Sequence, residues 1–169
     1  MRPFLILATL LNTAIAQADN ALVNGDFELG LSGWINDGAA ASTVEHAQGE
    51  RACVVRLPVA GWSGVHQSVA IPAGRSQAKV TGWTRADSVR GGKENWERGR
   101  ISIDFHNAKG DTLGGYPPAV GQVRGRIGWT RMERLYAIPS GAATLRIECG
   151  LGNSSGTLYC DDLSVEFLP

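Results

Sequence analysis

The stretch Thr157-Leu-Tyr-Cys-Asp-Asp-Leu-Ser-Val-Glu-Phe167, near the end of the chain, alternates between two sets of side chains. One set is Tyr159, Asp161, Leu163, Val165 and Phe167, and the other is Leu158, Cys160, Asp162, Ser164 and Glu166. Because successive strand side chains point to opposite faces of a sheet, the pattern predicts a β-strand whose first set faces inward. Asp161 would then be a carboxylate inside the fold, where an uncompensated charge is costly.

Short alternating runs of the same kind recur upstream, and helical periodicity is nearly absent. The predicted strands are residues 52–57, 65–71, 78–85, 100–106, 131–138, 143–151 and 157–167. Turn-forming Gly, Pro, Asn and Asp residues separate them, and two longer segments, 90–98 and 114–128, are predicted to be loops. Many short strands with such turns indicate an all-β fold, either a β-sandwich or a jelly roll.

The overall charge of the chain narrows the range of partners. Its 169 residues include 16 basic and 16 acidic side chains. A neutral balance offers no electrostatic footprint for a phosphate backbone, so no nucleic-acid partner is expected. With 43% hydrophobic residues the sequence is too apolar for a disordered segment, and its length suits one folded core.

Residues 1–18 have the features of a secretory signal peptide. Arg2 is their one charged residue, an apolar run extends over residues 4–11, and small residues at Ala14, Ala16 and Ala18 suit cleavage. A bilayer span needs about 20 apolar residues, so neither an anchor helix nor membrane insertion is expected. We expect a secreted protein, periplasmic or extracellular, in which residues 19–169 form a single β-sandwich domain.

Three cysteines, Cys53, Cys149 and Cys160, allow at most one intramolecular disulfide. Cys53 and Cys149 have inward parity in their predicted strands, whereas Cys160 has outward parity. This difference argues against a Cys149–Cys160 bridge. Three free thiols are favoured, and the alternative of one bridge stays open.

Three motifs in order along the chain resemble a family of secreted proteins. They are Asn24-Gly-Asp-Phe-Glu28 followed by Gly33-Trp34, then Gly128-Trp129-Thr130 with Ile138-Pro139, and finally residues 156–165 with the pair Asp161-Asp162. Together they resemble carbohydrate-binding modules of the families 4, 9 and 22 type. The resemblance implies a non-catalytic jelly roll with galactose-binding-like topology, often carrying one structural calcium ion.

The resemblance also implies a ligand set for that calcium ion. A Glu of the first strand, an Asp of the closing strand and carbonyls of an intervening loop become Glu28, Asp161 and the carbonyls from Gly49 to Arg51 in this sequence. Calcium prefers six to eight oxygen ligands, and it would compensate the inward charge of Asp161. The alternative is that Glu28 and Asp161 accept only backbone or arginine hydrogen bonds.

Sugar binding needs flat aromatic faces flanked by polar groups that bind hydroxyls. Parity places several such side chains on the outer face of the predicted sheet, and two aromatic side chains in the long loops are expected to close over it. Trp34 and Trp129, which lie within the family motifs, are predicted to be core residues. The predicted carbohydrate-binding residues are Trp83, Arg85, Trp96, Asp104, His106, Tyr116, Arg146 and Glu148.

Enzyme motifs have little support in this sequence. No zinc-protease, nucleophile-elbow, dinucleotide or phosphate-loop spacing is present. Two enzymatic alternatives stay open: Asp104 with Glu148 as a glycosidase carboxylate pair, or His106, Tyr116 and Arg146 as the residue types of a jelly-roll polysaccharide lyase. The sequence therefore predicts a non-catalytic module that binds a polysaccharide or cell-surface glycan, alone or beside a separately encoded glycan-active enzyme. A structural or adhesion domain that contacts proteins is a further alternative.

Overall fold

A computed structural model describes residues 20–37 and 46–169, so the predicted signal peptide lies outside the described residues. The regular elements in these ranges are β-strands, and none of the described residues forms a helix able to cross a bilayer. The strands are β1 Ile35–Asp37, β2 Cys53–Ala70, β3 Gln77–Gly91, β4 Gly99–His106, β5 Thr112–Leu113, β6 Gly121–Val123, β7 Gly125–Ala137 and β8 Thr144–Leu168. The all-β prediction is confirmed.

Two long strands, β2 and β8, run through both layers of the sandwich. Residues 144–151 of β8 lie between residues 63–70 of β2 and strand β4. Residues 154–168 of β8 instead pair with β3, and the early part of this stretch also pairs with the start of β2. We call the layer with β1, β4, β5 and β6 the first sheet and the layer with β3 and β7 the second sheet.

The core lies between the inward faces of the two sheets. The inward predictions for β4 and for the first half of β8 are confirmed, since their apolar side chains are buried. A Cβ added to Gly82 of the second sheet would meet Leu163 and Ile101, which shows how closely the layers approach. The largest of these buried side chains are Ile101, Ile103, Phe105, Leu145, Ile147, Leu151, Leu158 and Leu163.

A β-bulge at Asp162 overturns the parity predicted for the closing strand. Asp162 has a φ of 48°, and the β3–β8 register shifts between Thr81 and Trp83. A bulge adds one residue to one strand, so the side chains before it change faces relative to those after it. Leu163 and Val165 face the core as predicted. Asp161 lies opposite Trp83 and points away from the core, so its predicted inward orientation is wrong, although it is fully buried beneath the loop that contains Ala47 and Gln48.

The same bulge turns Cys160 inward, and a disulfide joins it to Cys149 across the sandwich with a Cα–Cα distance of 6.6 Å. The prediction of three free thiols is therefore wrong. Cys53 stays free beside this bridge, directly opposite Cys160 in the β2–β8 register. Burial raises the pKa of the Cys53 thiol to about 12.

One of the two predicted loops matches the structure and the other does so only in part. Residues 92–98 connect β3 to β4 without a strand, as expected. The segment 114–128 contains β6, which pairs with β4, and the beginning of β7. The sequence did not predict these strands, because the segment is rich in glycine and glycine has a low strand propensity.

Candidate functional site

A groove of about 650 Å³ lies on the outer face of the first sheet. Its floor is formed by side chains of β4 and of the first half of β8, where alternate residues face outward. The segments before β4 and β6 form its walls. The lining residues are Asp37, Trp62, Ser63, Gly64, Trp96, Arg100, Ser102, Ile103, Asp104, Tyr116, Pro117, Ala119, Gln122, Arg146 and Glu148.

Three exposed aromatic side chains line the groove. Trp62, Trp96 and Tyr116 are 59%, 43% and 90% exposed. The Trp62 and Trp96 rings stack with centroids 5.4 Å apart and planes 22° from parallel. The Arg100 guanidinium lies 5.4 Å from the Trp62 ring centroid and donates a hydrogen bond to the Trp96 carbonyl oxygen at 2.6 Å. Arg100 therefore ties the two tryptophans to β4.

Glu97 organises the loop that presents Trp96. Its carboxylate accepts hydrogen bonds from the Glu94 N–H at 2.9 Å and from the Asn153 side-chain amide at 2.6 Å. These two bonds hold the pKa of Glu97 below its ordinary value. A Cβ on Gly91 would overlap the Glu97 carbonyl oxygen, so this position needs glycine, and one on Gly92 would displace the Glu97 carboxylate.

Arg146 is the centre of a charged cluster on the groove floor. Its guanidinium lies 3.2 Å from the Glu148 carboxylate and 3.5 Å from the Asp37 carboxylate. Asp37 also lies 2.8 Å from Nδ1 of His66, and Asp104 is opposite Arg146 in the β4–β8 register. The cluster alternates positive and negative groups, as expected where charges from neighbouring strands must compensate one another.

Glycine and unpartnered polar atoms complete the floor. Gly64 and Gly150 are opposite each other in the β2–β8 register, between Arg100 of β4 and Asp37 of β1, so this row has no side chain at its centre. Nε of Arg146 and Oγ of Ser63 have no hydrogen-bond partner within the described chain. Buried polar atoms usually have hydrogen-bond partners. A small side-chain movement would allow these two atoms to form hydrogen bonds with a molecule in the groove.

Five of the eight residues predicted to bind carbohydrate line this groove: Trp96, Asp104, Tyr116, Arg146 and Glu148. Trp83, Arg85 and His106 lie outside the groove, so the prediction that they lie together with the other five is wrong. His106 is the last residue of β4, where it is opposite Thr112 and Thr144, beyond the end of the groove.

Trp83 and Arg85 belong to the second sheet, because β3 pairs with the second half of β8. The Arg85 guanidinium stacks 4.7 Å from the Tyr159 ring centroid and lies 2.9 Å from the Asp87 carboxylate. Trp129 is half-buried and meets the same tyrosine edge-on at 6.1 Å, so its predicted core position is wrong. Parity identified Trp83 and Arg85 as outward but could not tell which of the two sheets carries them.

Sequence reasoning did not assign Trp62, Arg100, Asp37 or Gln122 to the site. Arg100 has the same parity as Ser102 and Asp104, so the alternation of β4 contained that signal. Trp62 sits where the β2–β8 register shifts, between Gly61 and Ser63, and alternation fails at such an irregularity. Asp37 and Gln122 belong to three-residue strands, which have too few residues for an alternation pattern.

The residues predicted to hold a metal meet at one loop. Oε1 of Glu28 accepts hydrogen bonds from the N–H groups of Glu50 at 2.7 Å and Arg51 at 3.0 Å. Oδ2 of Asp161 accepts hydrogen bonds from the Ala47 and Gln48 N–H groups at 2.8 and 2.9 Å. Burial raises the pKa of Asp161, and these donors act in the opposite direction.

This donor set fits a calcium ion in its chemistry. The bonds to the loop use Oε1 of Glu28 and Oδ2 of Asp161. Oδ1 of Asp161 accepts a further hydrogen bond from the Asp162 N–H at 2.8 Å, so Oε2 of Glu28 is the carboxylate oxygen outside these bonds. A Cβ on Gly49 would overlap the Glu28 carboxylate, so this glycine keeps the loop close to it. Within the described ranges no group of three or more His, Cys, Asp or Glu side chains forms a metal cluster, so carbonyl oxygens would have to supply the other ligands.

Comparison with known proteins found no match to any protein-family model or curated protein. Solved structures do match. A family 16 carbohydrate-binding module shares 16% identity and a TM-score of 0.62, over 86% of this chain and 99% of that one. A family 61 module in complex with β-1,4-galactotriose shares 21% identity and a TM-score of 0.59, over 89% and 100%. The family 22 xylan-binding module of Paenibacillus barcinonensis Xyn10C shares 17% identity and a TM-score of 0.60, over 89% and 95%.

This chain also matches 21% of the enzymatically active domain of bacteriophage CBA120 tailspike protein 4, with a TM-score of 0.66 and 13% identity. The predicted resemblance to a carbohydrate-binding module is thus confirmed at the level of the fold. The chain is a jelly-roll β-sandwich with the fold of carbohydrate-binding modules of families 16, 22 and 61.

Proposed function

We propose that the groove on the first sheet binds a polysaccharide without cleaving it. The observation that carries this proposal is the combination, in one groove, of exposed aromatic rings with a floor of hydrogen-bonding groups. A sugar ring has an apolar C–H face and a rim of hydroxyls, so it needs both kinds of contact at once. Three structural neighbours with nearly complete coverage are carbohydrate-binding modules; one is in complex with β-1,4-galactotriose and another is a xylan-binding domain.

Each group in the groove has a separate task in this proposal. Tyr116 and the Trp62–Trp96 pair supply ring faces against which a sugar stacks. Carboxylates of Asp37, Asp104 and Glu148 accept hydrogen bonds from hydroxyls, and the Arg146 guanidinium donates them. The glycine row at Gly64 and Gly150 leaves room for the ligand above the sheet.

The ion pairing of a carboxylate on the groove floor supports binding without cleavage. Glu148 forms an ion pair with Arg146 at 3.2 Å, which occupies an oxygen that a glycosidase pair would use on substrate. The lyase alternative loses one of its three residues, since His106 lies beyond the groove. Incubating the protein with each polysaccharide that it binds tests this point: we expect neither new reducing ends nor unsaturated uronates.

Affinity electrophoresis in gels containing xylan, β-1,4-galactan or glucomannan tests the binding itself. We expect retardation by at least one of these polymers, and a loss of about tenfold or more in affinity for Tyr116→Ala and Trp62→Ala, because stacking area disappears. Trp83→Ala on the second sheet is the matched control and should bind like the wild type. Normal retardation of both groove variants, or no retardation by any glycan, would refute the proposed function.

The same proposal includes a structural calcium ion held by Glu28, Asp161 and loop carbonyls. Calcium should raise the melting temperature of chelator-treated protein, and Glu28→Gln should reduce that rise, because it removes a ligand charge. Calorimetric titration that detects no calcium binding would refute this part alone.

Secretion to the periplasm or the exterior, and cooperation with a separately encoded glycan-active enzyme, also belong to the proposal. The Cys149–Cys160 disulfide supports secretion, since such bonds persist in oxidising compartments.

A further inference from the structure

Strand β7 is an edge of the second sheet. It pairs with β3 on one side, and no described strand pairs with its other side. The strand is 13 residues long and contains no proline. A strand edge of this kind presents free N–H and C=O groups that can pair with another chain.

The outer face of β7 has a charge pattern that is complementary to itself. Arg131 and Glu133 are neighbours on that face, with 52% and 45% of their side chains exposed. The Glu133 carboxylate forms ion pairs with Arg131 at 3.1 Å and with Lys79 of β3 at 3.7 Å. If two copies of β7 pair antiparallel about Met132, each Arg131 lies opposite Glu133 of the other copy. Opposite charges at such cross-strand positions stabilise a pair.

The neighbouring registers are unfavourable. Moving the centre by one residue towards Arg131 places Arg131 opposite itself, and moving it by one towards Glu133 places Glu133 opposite itself. Like charges directly opposite each other destabilise a sheet. The sequence of the edge therefore favours the register centred on Met132 over the two registers next to it.

Apolar side chains flank the charges in that register. Leu135 is exposed on β7, and Trp129 is half-buried on the same face beside Tyr159. Pairing about Met132 brings Leu135 of each copy opposite Trp129 of the other. On the inner face it brings Thr130 opposite Arg134, so no like charges meet there.

We propose that two copies of this chain form a symmetric dimer by antiparallel pairing of their β7 strands, centred on Met132. The proposal concerns the second sheet and does not depend on the function of the groove. The occupant of the edge is a second copy rather than another protein, because both the charge order and the flanking apolar pair are complementary to themselves.

Sedimentation equilibrium of the purified chain over a range of concentrations tests the dimer. We expect the wild type to dimerise, and Arg131→Glu and Glu133→Arg each to weaken the dimer on the order of tenfold or more, because two like-charge pairs replace two opposite ones. The double variant Arg131→Glu/Glu133→Arg restores opposite charges and should restore the dimer. An equimolar mixture of the two single variants should form a heterodimer for the same reason.

Lys109→Glu, in an exposed turn away from β7, is the matched control for reversal of a surface charge. Thermal unfolding of each variant shows that the fold is kept. A wild type that stays monomeric at every concentration would overturn the proposal, as would a dimer that resists both single reversals. Failure of the double variant to recover would overturn the register centred on Met132.

Discussion

At the scale of single residues, Arg146 illustrates how the groove holds a charged donor between carboxylates. Its guanidinium lies near two carboxylates, Glu148 and Asp37, yet its Nε has no partner within the described chain. The ion pairs fix the orientation of the planar guanidinium. In the proposed function, a small side-chain movement would let the Nε donor reach a sugar hydroxyl.

Cys53 gives a prediction at the same scale. Its thiol is fully buried, and its pKa is raised to about 12, so the reactive thiolate is rare near neutral pH. We expect no reaction with a thiol reagent in the native protein at pH 8. Unfolding in urea should expose one reactive thiol per chain, since Cys149 and Cys160 are paired.

Cys53→Ala is the control for that measurement and should show no reactive thiol in urea. Fast labelling of the native wild type would contradict the burial of Cys53. More than one thiol in urea without a reductant would contradict the disulfide.

At the scale of elements, the loop from Gly92 to Arg98 shows how one carboxylate shapes a wall of the groove. Glu97 accepts hydrogen bonds from the Glu94 backbone and the Asn153 side chain, and the adjacent Trp96 stacks on Trp62. Asn153 belongs to β8, so the loop is attached to the longest strand of the fold. The orientation of Trp96 therefore depends on an ionised Glu97.

The lowered pKa of Glu97 sets the pH dependence of this loop. Because the folded-state pKa lies below the ordinary value of 4.5, the stabilisation is complete above that value and is lost as pH falls through the lowered one. Circular dichroism of the stacked tryptophan pair should follow this loss in the wild type. Glu97→Gln should weaken the signal already at neutral pH and remove that acid transition.

Glu94→Gln, an exposed change in the same loop, is the control and should behave like the wild type. An identical acid transition in Glu97→Gln and the wild type would show that another carboxylate orders the loop.

The strands themselves were largely predictable from alternation, and so were the inward faces of β4 and the first half of β8. Prediction failed where a bulge interrupts the two-residue alternation of side chains between the faces of a strand. The bulge at Asp162 moved Tyr159, Cys160 and Asp161 to the faces opposite those expected, which hid the disulfide. Five groove residues were predictable because they lie on regular strands or in the expected long segments. Trp83 and Arg85 were misplaced because alternation gives a face but not a sheet.

At the scale of the whole molecule, the long strands β2 and β8 join two surfaces with different properties. The groove lies on the first sheet, whereas the edge strand β7 belongs to the second. The two sheets share one core and one disulfide, so the fold supports both surfaces at once. Motif order could predict this shared architecture, but not the division of outward residues between its two faces.

Because β7 is not among the strands that line the groove, pairing through it leaves both grooves of a dimer available to the same polymer. Once one groove binds a long chain, the second meets further sugar units at high effective concentration, and the affinities combine as avidity. We expect the wild type to bind a long polysaccharide much more tightly than an oligosaccharide that fills one groove. Calorimetry should show this difference shrinking in Glu133→Arg, with oligosaccharide affinity unchanged. A dimer would also join separate polymer strands, so the protein would act as a cross-linker of polysaccharide gels.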